Sequence, residues 1–281
     1  MRYFYFKEEI MNSSKKTRIL IESAIMIALS TVLSIFKIIE MPYGGSVTVA
    51  SMLPIVVLSY RHGIGCGLTA GAAYAALQQL LGLNTLSYVT GWQSIVAIII
   101  LDYILAFTLV GLGGIFRRLT KDDRVALALG TVLVSVLRYV CHVISGATVW
   151  AGLSIPTNAA LLYSIGYNAT YMLPETIITA ACAYYLASLI DFKKETPARR
   201  TDSLSGKATT PYRLLSGACL LLGLIIDVWM IAPTLQDAET GKFMLSGIRN
   251  ADFISISVVT VITVAVSLFL FFKGASDSED R

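Results

Sequence analysis

The sequence predicts an all-α integral membrane protein with about eight transmembrane helices and both termini in the cytosol. Of its 281 residues, 56% are hydrophobic and only 14% are charged, roughly half the charged share of a soluble domain. The apolar residues fall in runs near the ~20 residues that cross a lipid bilayer. These features exclude a soluble enzyme and a nucleic-acid-binding protein, so the bilayer is the expected surrounding and nucleic acid is not an expected partner.

The apolar runs give the predicted spans in chain order, since a helix rises ~1.5 Å per residue across ~30 Å of hydrocarbon. The second run is short for a full crossing, and Pro174 is expected to kink the long sixth run. The runs cover residues 19–36, 47–60, 64–83, 94–116, 125–150, 158–190, 213–233 and 253–272.

The basic residues set the predicted orientation. Lys and Arg precede the first run and follow the second, fourth, sixth and eighth, whereas the loops 84–91 and 151–157 contain neither. Because basic loops stay in the cytosol, both termini are predicted to be cytosolic. The first run is long and lacks a small-residue cleavage pattern, so we expect it to be retained, with Met11 as an alternative start.

Four segments follow from this pattern. Residues 1–17 are predicted to be a cytosolic N-terminal segment, and residues 18–192 a six-helix membrane domain. Residues 193–211 are a basic cytosolic linker, because the stretch DFKKETPARRTDSLSGKATTP at 191–211 is polar and basic. Residues 212–281 form an accessory transmembrane hairpin with a cytosolic tail, and the one intramembrane charge of that hairpin is Asp227.

Ionisable groups within the other six spans indicate function, because they are costly at membrane depth. Counting ~1.5 Å per residue from the outer ends of the spans puts Asp102 and His142 ~12 Å deep, with Tyr163 and Asn168 at similar levels. Trp150 lies at the outer rim, and Glu175 alone falls toward the inner side. Polar groups gathered in the outer half predict a binding pocket open to the outside rather than a pore.

Each of these residues also has a structural alternative. Arg138 is expected to pair with Asp102 or a carbonyl oxygen, and Glu175 to cap backbone groups freed at Pro174. For the remaining residues, both ligand binding and a structural role stay open. The structural role is an ion pair for Asp102, interhelical hydrogen bonds for His142 and Asn168, and interfacial anchoring for Trp150 and Tyr163.

Motifs of catalysis and metal binding are missing from the sequence. It contains no GxxxxGK[ST], GxSxG or HExxH, and its four cysteines form no CxxC pair. His62 and His142 are predicted to lie on opposite sides of the membrane, so no metal, cofactor or catalytic residue is predicted. Small residues four apart in the third run predict close helix packing. The pair Ala24 and Ala28 predicts either an internal contact or a face for another membrane protein.

Several motifs together resemble a known family. They are MPYGGSVT at 41–48, LPI at 53–55, RHG at 61–63, DYILAF at 102–107 and RYVCHVISG at 138–146, followed by Trp150, Tyr163 and Asn168. This set resembles the thiamine-specific substrate-binding (S) component of energy-coupling factor transporters over about residues 18–190. The C-terminal 80 or so residues are not part of that pattern, and they could brace the bundle, tune partner choice or serve another role.

The resemblance implies a six-helix subunit that captures thiamine from outside and docks on a transmembrane T component driven by two cytosolic ATPases. It implies that Ala24 and Ala28 contact that partner and that the loop 42–48 covers the pocket. The ligand residues that it implies are Asp102, Tyr103, His142, Gly146, Trp150, Tyr163 and Asn168. Aromatic faces suit the thiazolium cation, a carboxylate offsets its charge, and buried polar groups read the aminopyrimidine edge.

Three other functions remain as alternatives. A stand-alone proton-coupled carrier needs a polar route through the inner half, where only Glu175 is found. A membrane enzyme using Asp102, His142 and Glu175 is disfavoured by the depth predicted for Glu175. A purely structural scaffold is disfavoured by the outward polar and aromatic cluster.

Overall fold

The structure is a computed structural model that describes residues 2–41, 44–149, 157–200, 211–235 and 244–276. Within these ranges the chain forms eight helices, two small two-stranded sheets and short 3-10 turns. Six of the helices contain segments long and apolar enough to cross a membrane: Ser14–Ile35, Trp92–Arg118, Asp123–Thr148, Asn158–Leu189, Leu215–Leu235 and Phe253–Leu270. This agrees with the predicted all-α membrane class.

Helix α1 runs from Arg2 to Ile35, so it begins well before the predicted first span. No Gly or Pro interrupts residues 2–35, and the helix therefore continues without a break from the polar N-terminal part into the apolar part. On its bundle side, Met26 and Ile27 pack against the main core cluster.

The second predicted span, 47–60, is wrong as a single helix. Strand β2, Ser46–Thr48, pairs antiparallel with β1, Lys37–Glu40, and helix α2 begins only at Leu53 and ends at His62. Ala50 adopts a φ of 54°, which breaks the segment, and Pro54 stands in the first turn of α2, where proline is tolerated. Helix α2 is buried along nearly its whole length and forms the centre of the main core.

Helix α3, Ile64–Leu81, packs closely against α4, which spans Trp92–Arg118. A side chain on Gly67 would overlap the carbonyl oxygen of Gly111, as the small residues of the third run predict. Helix α4 is composite, with a π-helical stretch over Ile99–Leu105 and a 3-10 stretch over Leu109–Arg118. A short 3-10 turn, Leu83–Tyr88, joins α3 to α4.

Helices α5, Asp123–Thr148, and α6, Asn158–Leu189, pack along each other. Each begins with a side-chain cap, as Asp122 accepts from the backbone of Arg124 and Thr157 from that of Ala160. The hydrogen bond from the Arg124 side chain also holds the pKa of Asp122 below its ordinary value. Helix α6 stays helical through Pro174.

The start of the predicted linker is anchored to the bundle. Strands β3, Ile190–Asp191, and β4, Ala198–Arg199, form a small antiparallel sheet after α6. The carboxylate of Asp123 pairs with Lys193 and Arg200. Arg61 donates to Glu22 on α1 and to the carbonyl oxygen of Phe192. The end of α6 is thereby tied to α1, α2 and α5, while the division of the chain into domains stays a prediction.

The C-terminal part forms the predicted hairpin of α7, Pro211–Ile231, and α8, Phe253–Ser276. The two helices are joined by hydrogen bonds between Ser216 and Ser267 and between Thr260 and Asp227. Two 3-10 turns, Ala232–Leu235 and Leu245–Asn250, lie between the helices. One apolar cluster holds α7 residues together with Leu235, the β1–β2 hairpin and α6. The hairpin therefore packs beside the segment that lines the site described next.

Candidate functional site

A cavity of about 990 Å³ lies between the β1–β2 hairpin, the turn after α3, and helices α4, α5 and α6. This volume is at the upper end of the range typical of small-molecule sites. Six of the seven predicted ligand residues line it: Asp102, Tyr103, His142, Gly146, Tyr163 and Asn168. The seventh, Trp150, lies outside the described residues. Sequence reasoning therefore selected residues from three helices that meet at a single cavity.

An acid–imidazole pair joins α4 to α5 at this cavity. The Nδ1 atom of His142 lies 2.8 Å from Oδ1 of Asp102, and the hydroxyl of Ser145 donates to Oδ2 at 2.6 Å. When Nδ1 is protonated and donates a hydrogen bond to the carboxylate, Nε2 of the neutral imidazole remains an acceptor. Nε2 is buried and has no hydrogen-bond partner within the described part of the chain. The pair thus leaves one polar atom of a cavity-lining residue without a partner among the described residues.

The π-helical stretch of α4 contains both Asp102 and Tyr103. Its turn is wider than that of an α-helix, and such stretches are frequent at functional sites. Both neighbours line the cavity, and the Tyr103 hydroxyl donates to the carbonyl oxygen of Gly82 at 3.1 Å. The Tyr103 ring also stacks on Phe107, with centroids 6.4 Å apart. Apolar periodicity does not distinguish a π-helix from an α-helix, so the sequence analysis missed it.

Helix α6 contributes a row of three tyrosines to the cavity wall. The rings of Tyr163 and Tyr167 are stacked at 6.2 Å and 4°, and Tyr167 meets Tyr171 edge-on at 5.8 Å. The sequence analysis named only Tyr163. The spacing of four residues between successive tyrosines places all three on one helix face, and this signal could have identified the other two.

Asn168 and Gly146 hold α5 and α6 together at the cavity. The Asn168 amide donates to the backbone carbonyl of Ser164 at 2.9 Å and, more weakly, to that of His142 at 3.4 Å. Its oxygen accepts from the Tyr171 hydroxyl at 2.5 Å. A side chain at Gly146 would overlap the hydroxyl of Ser164. This geometry is that of interhelical contact, the alternative kept open for Asn168, and direct ligand contact by either residue stays a prediction.

Arg138 has different surroundings from those expected. The ion pair of Asp102 is with His142, whereas the guanidinium of Arg138 lies 4.4 Å from the ring centroid of Phe107 and contacts the sulfur of Met52. Arg138 is buried and lines the cavity. A cation over an aromatic face is stabilised by the ring quadrupole, which explains how this position holds a charge.

Glu175 also departs from its expected role. It was expected to cap groups near Pro174 on the inner side, far from Asp102 and His142, but it lines the same cavity as those two residues. Its carboxylate accepts from the backbone N–H and the hydroxyl of Thr48, at 3.0 and 2.8 Å. Strand β2 is largely buried and meets α6 at this depth, an arrangement that counting residues from the helix ends cannot reveal.

The comparisons with known proteins agree with this geometry. Residues 20–193 match the family described as thiamine transporter protein. A curated relative, thiamine transporter ThiT of Bacillus subtilis (strain 168), is 37% identical over 181 residues, which cover 60% of this chain and 90% of the relative. The chain belongs to the thiamine transporter family. ThiT of Lacticaseibacillus paracasei is 26% identical over 185 residues, covering 60% of this chain and 86% of that protein.

A solved structure of ThiT from Listeria monocytogenes resembles this family member in fold. The TM-score is 0.50 at 24% identity, and the likeness covers 62% of this chain and 94% of that one. The curated relatives are named as transporters, which points to a role other than catalysis. With its apolar helices, this member of the thiamine transporter family is a multi-pass protein of the cell membrane.

The matched segment of this thiamine transporter family member contains all the predicted site residues. It ends at residue 193, so the α7–α8 hairpin lies outside it. The segment also contains Ala24 and Ala28, which are exposed on α1 beside the exposed apolar residues Ile21, Ile25 and Leu29. Of the two alternatives kept open for this pair, the geometry favours an outward face over an internal contact.

Proposed function

We propose that the chain is the thiamine-binding subunit of an energy-coupling factor importer, which takes up thiamine from outside into the cavity between the β1–β2 hairpin and α4 to α6. The observation that carries this proposal is the convergence of Asp102, Tyr103, His142 and Tyr163 on one cavity. Family membership supports thiamine transport. The two-helix extension makes this chain longer than the family pattern.

The aminopyrimidine of thiamine suits the Asp102–His142 pair. Asp102 accepts from Nδ1 of His142 and holds the imidazole in one tautomer, so that Nε2 accepts from the amino group of the ligand. A ligand lacking that amino group leaves Nε2 buried without a partner, and such unpaired groups discriminate strongly between ligands. In this arrangement Asp102 acts on the ligand through His142.

The aromatic wall suits the flat rings and the fixed positive charge of thiamine. Tyr163 and Tyr167 present parallel rings at the cavity, and Tyr103 lies on the facing helix α4. A desolvated cation over such faces gains ~2 kcal/mol or more. Trp150 stays a predicted stacking residue that completes this wall.

The energy for transport comes from other protein chains in this proposal. The sequence has no P-loop, so ATP hydrolysis requires separate ATPase subunits. We propose that the exposed Ala24 and Ala28 face of α1 docks on a transmembrane T component that two cytosolic ATPases drive. Small residues allow close approach of helix backbones, which suits such a contact within the bilayer.

Binding by the purified full chain tests the ligand. We expect saturable binding of thiamine near one molecule per chain in detergent, measured by isothermal titration calorimetry. Mass spectrometry of the protein purified from thiamine-containing medium is expected to find the vitamin retained. Riboflavin, which is also flat but uncharged, is the control and is expected not to bind. Absence of saturable thiamine binding would contradict the proposal.

A further inference from the structure

We infer that Glu175 is a second carboxylate of the binding site, that it faces the thiazolium cation, and that it makes the cavity selective for a singly charged cation. This inference rests on the proposed function, because it names the group that balances the ligand's charge. Neither the resemblance nor the charged cluster predicted in the outer half assigned Glu175 to the ligand.

Glu175 is a buried acid with little compensation. Its side chain is 4% exposed, and its oxygens accept from the N–H and hydroxyl of Thr48. The ion pairs closer than 4 Å in the described part of the chain do not include Glu175. Two hydrogen bonds offset part of the cost of burying a carboxylate, and a bound cation would offset the remainder.

The charges around the cavity support the same inference. Its lining contains the cations Lys37 and Arg138 and the anions Glu40, Asp102 and Glu175. Lys37 and Glu40 pair with each other at 2.6 Å and are exposed. The formal charges of Arg138, Asp102 and Glu175 therefore sum to one negative charge, with histidine counted as uncharged. A monocation neutralises this charge, whereas a phosphate ester of the same vitamin adds negative charge and leaves it uncompensated.

The position of Glu175 separates its role from that of Asp102. Both oxygens of Asp102 are used by His142 and Ser145 within the bundle, so its charge is shared with the imidazole. Both donors to Glu175 come from Thr48 on β2. The same carboxylate thereby ties the β1–β2 hairpin to α6, and a charge effect must be separated from this structural contact.

Two probes separate these effects: thiamine and its uncharged analogue in which carbon replaces the thiazolium nitrogen. We expect the wild-type chain to prefer thiamine by about tenfold or more, and Glu175→Gln to lose most of this preference through weaker thiamine binding. Thr48→Val is the matched control, because it removes one hydrogen bond but keeps the charge. It is expected to change both affinities by the same factor. Calorimetry in detergent measures the six affinities, two probes for each of three chains.

The outcomes distinguish the inference from the proposed function. A wild-type chain that binds neither probe contradicts the proposed function itself. A wild-type chain that binds thiamine while Glu175→Gln keeps its preference over the analogue overturns only the inference. It is also overturned if Asp102→Asn, and not Glu175→Gln, abolishes the preference. If the glutamine variant does not fold, Glu175→Met fills a similar volume without charge and provides the same comparison.

Discussion

At the scale of single residues, the Asp102–His142 pair allows the most direct test, because a substitution there can change hydrogen bonding to the ligand while the shape of the site is kept. Asp102→Asn keeps the shape but replaces one acceptor oxygen with a donor and removes the charge that holds the proton on Nδ1 of His142. The imidazole is then free to carry its proton on Nε2, where it opposes the amino group of thiamine.

We expect Asp102→Asn to weaken thiamine binding by about tenfold or more. The loss of affinity should be similar for thiamine and for its uncharged analogue, because the affected hydrogen bond is to the aminopyrimidine, which both ligands contain. Ser145→Ala is the control, since it removes one donor and leaves the imidazole in place, and it should cost clearly less. Titration calorimetry of both variants checks this, and normal binding by Asp102→Asn would show that the pair does not recognise the ligand.

The sequence was sufficient for Asp102 and His142 because an ionisable group within an apolar span is rare. It was insufficient for Glu175, since depth was counted along separate helices and strand β2 enters the bundle between them. The sequence was insufficient also for the partner of Arg138, because no sequence motif indicates that a cation lies over the face of an aromatic ring such as Phe107. Contacts between distant segments decided both cases.

At the scale of elements, the β1–β2 hairpin forms one side of the cavity and is held from two directions. Thr48 is hydrogen-bonded to Glu175 on α6, while Ile39, Met41 and Val47 share an apolar cluster with Leu235 in the 3-10 turn after α7. The additional C-terminal hairpin therefore packs against a segment that lines the cavity. This packing supports the first of the three roles considered for it, bracing of the bundle, which stays a prediction.

Leu235→Ala tests that bracing. Leu235 is 4% exposed, so truncation leaves a space beside the β1–β2 hairpin. We expect bound thiamine to dissociate roughly threefold faster or more, because local opening of the hairpin becomes less costly. Trp229→Ala, on α7 just before that turn but 65% exposed, is the control and should leave the rate unchanged. The rate is measured by chasing labelled thiamine, and equal rates in all three chains would exclude bracing through Leu235.

The elements themselves could be predicted where apolar runs are long, and less well where they are short. The runs that became α4, α5 and α6 were found with small boundary errors. The run at 47–60 was misassigned because Val and Thr fit a strand as readily as an apolar helix, and because the break at Ala50 depends on backbone conformation. The π-helical stretch around Asp102 has no periodicity of its own in so short a segment.

At the scale of the whole molecule, binding and transport are assigned to different faces. The cavity lies between α4, α5 and α6, whereas the proposed docking face is the exposed side of α1 with Ala24 and Ala28. The predicted orientation, with both termini in the cytosol, opens the cavity to the outside and stays a prediction. If the two faces are independent, one can be blocked without harming the other.

Ala24→Trp combined with Ala28→Trp tests this separation. In cells that contain the T component and both ATPases, we expect the double variant to abolish thiamine uptake, because bulky side chains prevent close approach of another helix. Thiamine affinity of the purified variant should match the wild type. Val261→Trp, on an exposed position of α8, is the control and should transport normally. Uptake by the wild-type chain in cells that lack the ATPases would instead indicate a stand-alone carrier, for which the α1 face would be irrelevant.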